Sequence, residues 1–269
     1  MTIAETQESR LDYLVEQFKK DSVRYESLEV PEDRESKERI LRSLMNIRMP
    51  KTLPTDVLKV QDEYLRELSY ERGIVEAEDI PEAADKMAIW QGDITRLKCD
   101  AIVNAANSQM LGCFVPMHLC IDNCIHTFAG VQMRAECARQ MEELRAKFGS
   151  EYEQPTAVPM LTDAYNLPSD KVIHIVGPIV DGELKSVHEE LLAKCYSRTL
   201  DLCVENGIKT VAFCCISTGV FRFPAKRAAE IATETVKSWL KEHSDSVERV
   251  IFNVFHDKDR RIYEELICG

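Results

Sequence analysis

Residues 112–126 read GCFVPMHLCIDNCIH and place three cysteines and two histidines within fifteen positions. Thiolate sulfur and imidazole nitrogen are ordinary zinc ligands, and three protein ligands with a fourth position open is the arrangement of a catalytic zinc. Cys113, His118 and Cys120, separated by four residues and then by one, are the candidate ligands. Three donors on one loop can occupy one face of a tetrahedron without a distant second pair. The spacing is not that of a zinc finger or ribbon. A structural site would want a fourth ligand. Cys124 and His126 are available, but they fall where a helix is expected to begin near Asp122, with both side chains facing inward. Cys124 is the reserve ligand. On the residues alone two readings stay open, a metal centre and a cluster of core thiols.

Three other stretches could hold a ligand. STGVFRFP (217–224) has the chemistry of an anion cradle. Gly219 permits φ > 0 and close approach, and the following N–H groups, with a helix opening near Pro224, can face a phosphate. Taken alone, such a βα loop is commonly no more than a turn. In GDIT (92–95), Asp93 could accept from the exocyclic amine of a base, although a cap on the next turn is the favoured reading. In NAAN (104–107), Asn104 and Asn107 close a strand, where amides could orient sugar hydroxyls or merely satisfy a turn. Neither G-x-G-x-x-G nor G-x-x-x-x-G-K-[ST] occurs, which excludes the dinucleotide fingerprint and the P-loop. His174, in KVIHIVGP, reads as a core strand histidine; His188, His243 and His256 read as surface or structural.

The elements that must position these residues change character near residue 85. Before it, apolar residues recur at helical spacing (Leu11, Leu14, Val15, Phe18; Ile40, Leu41, Leu44, Ile47; Val57, Val60, Tyr64, Leu68), broken by proline-bearing segments at 30–33 and 49–55. This predicts three helices, each with an apolar stripe to bury against the remainder of the chain. From residue 86, strand-like runs at 87–94, 100–106, 156–161, 171–177, 210–217 and 249–255 alternate with helical stretches at 122–147, 187–205, 225–242 and 258–267. Strands apolar on both faces and separated by helices predict a mostly parallel sheet covered by helices. Ligands of such sheets bind at the carboxyl ends of the strands. The boundaries expected are 1–85 for the helical region and 86–269 for the α/β domain.

A formal net charge of −12 argues against a general nucleic-acid binder. No basic-then-apolar start and no apolar run of about 18 residues is visible, so no membrane partner is expected and the protein reads as cytoplasmic. Its ten cysteines should then be reduced thiols. Cys99, Cys137, Cys195, Cys203, Cys214, Cys215 and Cys268 are expected to be small core residues.

Taken in order, QGDIT (91–95), CDAIVNAAN (99–107), IDNCIH (121–126), YNLPSDKVIHIVGP (165–178) and STGVFRFP (217–224) make the chain resemble the macrodomain family. The match runs over about 130 residues, from 91 to 224. The resemblance implies a three-layer α/β/α fold and ADP-ribose as ligand. It implies that Asp93 contacts adenine, that Ile94 lends its N–H to the phosphates, and that Ser217, Thr218, Gly219, Val220 and Phe221 wrap the pyrophosphate. Asn107 would meet the distal ribose, and Asp122 would stand where hydrolytic members carry an acid. Those members usually have a run of glycines where this chain has GCFVPMHLC, with one glycine. The chain is thus similar to a microbial zinc-containing branch that also carries an added helical N-terminal region.

What this resemblance implies is a Zn2+-dependent hydrolase that removes mono-ADP-ribose from proteins, with an ester at Asp or Glu as the bond cleaved. The alternatives are an ADP-ribose reader with a structural zinc and a deacetylase of O-acetyl-ADP-ribose. Members of this branch are often encoded beside a sirtuin-like ADP-ribosyltransferase and a lipoyl-carrier protein, which suggests a modified carrier as partner.

Overall fold

The computed structural model describes residues 5–269. The N-terminal part folds as three helices, α1 (Gln7–Lys20), α2 (Arg34–Ile47) and α3 (Thr55–Arg72). Thr6 caps α1, its hydroxyl accepting from the Ser9 N–H at 3.2 Å, and Asp33 caps α2 in the same way through Ser36. The predicted stripes, including Leu11, Leu14, Phe18, Leu41, Leu44, Val57, Val60 and Tyr64, meet in one small core. Val131 of a later helix closes that core.

The remainder is a helix-covered sheet. Its strands are β1 (Val75–Glu76), β2 (Glu82–Ala84), β3 (Met87–Gln91), β4 (Leu97–Lys98), β5 (Ala101–Ala106), β6 (Met160–Asp163), β7 (Lys171–Val176), β8 (Thr210–Phe213) and β9 (Arg249–Val254). Seven of them form one sheet in the order β2-β3-β9-β8-β5-β7-β6. The five central strands run parallel, while β2 and β6 pair antiparallel at the two edges. Strands β1 and β4 make a separate parallel pair. Residues 75–84, grouped with the helices by composition, therefore already supply strands. β5 and β7 are buried at nearly every position, as strands apolar on both faces require, with Asn104 and His174 as buried polar exceptions.

Helices α4 (Ile121–Ala129) and α5 (Val131–Phe148) follow β5; α6 (Ser186–Glu205), α7 (Ala225–Glu242) and α8 (Asp257–Ile267) follow β7, β8 and β9. The chain moves in one direction across the sheet from β5 to β7, and in the other from β7 to β8 and on to β9. Right-handed crossovers therefore put α5 on one face and α6 and α7 on the opposite one, giving three layers. The helix expected over 122–147 is broken at Gly130, whose φ of +96° ends α4 and turns the chain into α5.

All ten cysteines are unpaired. Cys137, Cys195, Cys203 and Cys214 are buried as expected, but Cys268, beyond the last turn of α8, is exposed. Among the described residues, no helix is long and apolar enough to cross a membrane.

Candidate active site

Parallel strands deliver their following loops to one edge. Across that edge, in sheet order, come Asp93 after β3, Phe255 after β9, the 214–224 loop after β8, Asn107 and the 108–120 loop after β5, and Gly177 after β7. Three strand spacings separate β3 from β5, a span of about 14 Å.

At one end, Asp93 caps a short 3-10 turn over Ile94–Arg96. Its Oδ1 accepts from the Thr95 N–H at 3.0 Å and from the Thr95 hydroxyl at 2.7 Å, and its Oδ2 takes the Arg72 guanidinium at 2.5 Å. The cap is therefore present, and the carboxylate remains about one-third exposed. Ile94 is buried, and as the first residue of the turn its N–H has no intrahelical acceptor. Phe255 is 68% exposed beside this turn, because Gly92 donates to the Val254 carbonyl at 3.0 Å. Sequence reading did not single out Phe255; a large aromatic immediately beyond a buried strand was the available signal.

In the middle, the 214–224 loop behaves as a nest. Ser217 is buried with φ +65°, and its carbonyl accepts from the Phe223 N–H at 3.0 Å, closing the loop. The left-handed residues are thus Ser217 and Arg222 (φ +58°) rather than Gly219, which lies outside that region and faces open space. The described hydrogen bonds employ none of the Gly219, Val220 and Phe221 N–H groups. Thr218 turns inward, its hydroxyl donating to the Cys215 carbonyl at 3.0 Å. With Pro224 as the residue before α7, three open N–H groups precede a helix N-terminus, a combination that can hold an anion.

At the other end, Asp122 lies in the first turn of α4 and is 5% exposed. Its Oδ1 accepts from Asn104 Nδ2 at 2.8 Å and its Oδ2 from Asn107 Nδ2 at 3.3 Å. Burial raises its carboxyl to about 6, against the lowering pull of these amides and of Arg134. Asn107 also holds the Gly112 carbonyl at 3.2 Å and takes the Gln109 N–H on its Oδ1 at 3.0 Å. Asn104 differs from its pair. It is wholly buried and spends its amide on Asp122 and on His174 Nδ1 at 3.0 Å, so it braces the acid instead of meeting a ligand.

Cys113, His118 and Cys120 come together. One ligand atom from each lies within 4.8 Å of the others, and Cys113 Sγ is 3.6 Å from His118 Nδ1. A tetrahedral zinc at ordinary bond lengths separates its ligands by roughly 3.5–3.8 Å, so this spacing fits. Cys120 also caps α4, its sulfur accepting from the Asn123 N–H at 3.4 Å. Burial, with Cys113 alongside, pushes the Cys120 thiol up to about 12. Two adjacent thiolates need a cation between them, and the donor set is one that zinc would supply with that charge. Cys124 stands apart, 3.6 Å from Arg42 on α2.

A second trio, His126, Cys137 and His174, is fully buried and could by spacing hold a metal. His174, however, already spends both ring nitrogens, one toward Asn104 and one toward the Thr162 hydroxyl at 3.0 Å. Burial holds it uncharged, down to about 3. His126 is likewise kept well below the usual imidazole range by burial, so its 3.6 Å approach to Asp122 is not an ion pair.

The chain is similar to known proteins in sequence and in fold. A family model described as Macro domain matches residues 103–232. A protein of Treponema medium named protein-ADP-ribose hydrolase is 46% identical, covering 97% of this chain and 99% of its own. A protein of the same name from Staphylococcus aureus (strain Mu50) is 41% identical, covering 99% and 98%. Among solved structures, a Trypanosoma brucei macrodomain in complex with ADP-ribose superposes with a TM-score of 0.63 at 26% identity, covering 83% of this chain and 94% of that one. An Oceanobacillus iheyensis macrodomain with ADP gives 0.59 at 34% identity, covering 70% and 93%. Sequence and overall fold agree, and the chain belongs to the macrodomain family.

Proposed function

We propose that this protein hydrolyses mono-ADP-ribose from modified proteins, with an ester to an aspartate or glutamate side chain as the bond cleaved. The observation that carries the reading is that Asn107 touches Asp122, and that Asp122 follows the Cys113–His118–Cys120 loop by two residues. The activity for which the two relatives are named supports it.

In this reading Asp93 and the Ile94 N–H face the adenine end, where Phe255 offers its ring for stacking. The N–H groups of Gly219, Val220 and Phe221, with Ser217 and Thr218 shaping the loop, hold the pyrophosphate. Asn107 orients the distal ribose. Breaking the ester gives the acyl group an OH from water and returns a proton to the ribose oxygen. Asp122, braced by two amides, accepts the water's proton in transit. Cys113, His118 and Cys120 would hold zinc, which when bound polarises oxygen and lowers the pKa of water. Fixing the dinucleotide along about 14 Å of edge converts remote binding into alignment of the bond to be cleaved. The chain would work in the cytoplasm, where its unpaired thiols stay reduced. A lipoyl-carrier protein modified by a sirtuin-like transferase would be a partner, as the family resemblance suggests.

The test uses a protein modified on aspartate or glutamate. Purified wild type should carry about one equivalent of zinc, as thiolate ligation implies. Asp122→Asn and His118→Ala should each slow release of ADP-ribose by about 10²–10⁴-fold, while calorimetry shows ADP-ribose bound within a few-fold of wild type. Equally slow release by wild type and both variants, all still binding ADP-ribose, would sink the catalytic reading and leave a reader.

A further inference from the structure

The loop carrying the three candidate ligands is anchored largely from outside the sheet. From α4, Asn123 Nδ2 donates to the carbonyls of Cys113 at 3.2 Å and Val115 at 3.0 Å. From α2, Arg42 Nη2 donates to the His118 carbonyl at 2.8 Å and to Asn123 Oδ1 at 3.0 Å. One guanidinium thus holds both the loop and the amide that holds the loop. One turn further along α2, Asn46 Oδ1 accepts the Met117 N–H at 3.0 Å, and its Nδ2 donates to the Thr127 hydroxyl of α4 at 2.8 Å. Met117 has φ +59°, a conformation a side-chain-bearing residue keeps only where neighbours impose it. Among the described hydrogen bonds, the one that reaches residues 112–119 from the strand ends is Asn107 to the Gly112 carbonyl.

His118 has the greatest need of this support. It is no more than half-buried, like the thiols on either side, so packing alone does not fix its ring. What fixes it is the backbone, through its own carbonyl on Arg42 and the preceding N–H on Asn46. Arg42 and Asn46 are four residues apart on one helix face, as a two-point grip requires.

We infer that Arg42 and Asn46 are positioning residues for the metal ligands, so that α2 is part of the metal centre and not merely packed beside it. The inference rests on the proposal that Cys113, His118 and Cys120 hold zinc. Groups that orient ligands from behind are worth about 10–100-fold in metal affinity. The two sites along the edge should also separate. Arg42 makes no hydrogen bond at the Asp93 end and meets it through the Phe128 ring it shares with Arg72, so the grip should act chiefly on the metal and leave the dinucleotide largely alone.

The experiment uses the full chain and compares wild type with R42M, R42K and N46A, with R10M as control, since Arg10 pairs with Glu63 elsewhere in the helical region. Zinc affinity is read by competition with a chromogenic chelator, ligand geometry by the absorption of the cobalt-substituted protein, and ADP-ribose binding by calorimetry. R42M and N46A should bind zinc about 10–100-fold more weakly with an altered cobalt spectrum, at an ADP-ribose Kd within about two-fold of wild type. R42K, which keeps a cation but not the forked donor, should fall between, and R10M should match wild type. Should N46A fail to fold, the two Arg42 variants decide. An R42M protein with wild-type zinc affinity and an unchanged cobalt spectrum overturns the inference alone. A wild type that takes up no zinc overturns the metal reading first, and the inference with it.

Discussion

Replacing Arg134 with methionine measures how the helical region is fastened to the site. Arg134 is 5% exposed on α5, and its Nη1 reaches the carbonyls of Met45 (3.1 Å), Asn46 (2.9 Å) and Arg48 (2.6 Å) at the end of α2. Nη1 carries two protons, so three acceptors share two bonds' worth of donation. Charge-assisted bonds of this kind contribute about 1.5–3 kcal/mol each, and the carbonyls are those of a helix C-terminus, which favours a cation. The guanidinium also stacks 4.3 Å from the centre of Phe114 on the metal loop, worth roughly 1–2 kcal/mol when desolvated. Opposing this, burial lowers the guanidinium to about 10, a cost of roughly 3 kcal/mol. Methionine removes that cost and refills the volume, but it leaves the carbonyls without their donor. The balance predicts a net loss of about 2–4 kcal/mol. Urea unfolding followed by circular dichroism measures it, with Arg139→Met, an exposed pair partner of Glu143 one turn away, as a control expected within about 0.5 kcal/mol. A loss under 1 kcal/mol for Arg134→Met would refute the reasoning, because the shared donation would then be worth no more than the charge burial it offsets.

Two other outcomes follow from buried contacts. His174 is held near 3 by burial, against about 6.5 when unfolded, so between those values only the unfolded chain binds its proton and stability falls as pH falls. From pH 7 to 4.5 this residue should remove roughly 3 kcal/mol, and H174Q should lose that much less over the same range; superimposable pH profiles would rule the account out. A Cβ on Gly177 would stand 2.1 Å from Ser217 Oγ and 2.7 Å from Ile216 Cγ2, and Ile216 is wholly buried and cannot yield. Gly177→Ala should therefore displace the start of the 217–221 loop, costing about 1–3 kcal/mol of stability and weakening ADP-ribose binding by about ten-fold or more; an unchanged calorimetric Kd would show that this loop does not hold the pyrophosphate.

The element order was readable because it depends on local periodicity. Helical stripes at 11–18 and 57–68, and predominantly apolar runs at 101–106 and 171–176, require those elements wherever they finally pack. The edge strand β2 and the break at Gly130 were not readable. The first depends on pairing with β3, and the second on a single left-handed residue inside an otherwise periodic stretch.

The site divides in the same way. Donor types and their crowding into residues 113–120 are properties of the sequence, so Cys113, His118 and Cys120 could be picked out before any fold was known. Two identical amides in NAAN could not be told apart by type. Strand alternation and burial gave Asn104 to Asp122 and His174, while Asn107, one step past the strand, reached both the acid and the open edge. Gly219 suggested a left-handed turn that the chain makes instead at Ser217, where closure by Phe223 imposes it. Arg42, Asn46, Arg72 and Arg134 carried no signal at all, because an arginine or asparagine on a polar helix face looks like any solvated residue. Their partners lie 21 to 89 positions away in the chain. By itself, then, the sequence determined which chemistry the loops could support. Only the tertiary structure decided which side chains hold those loops in place, since that depends on contacts between segments that local pattern does not connect.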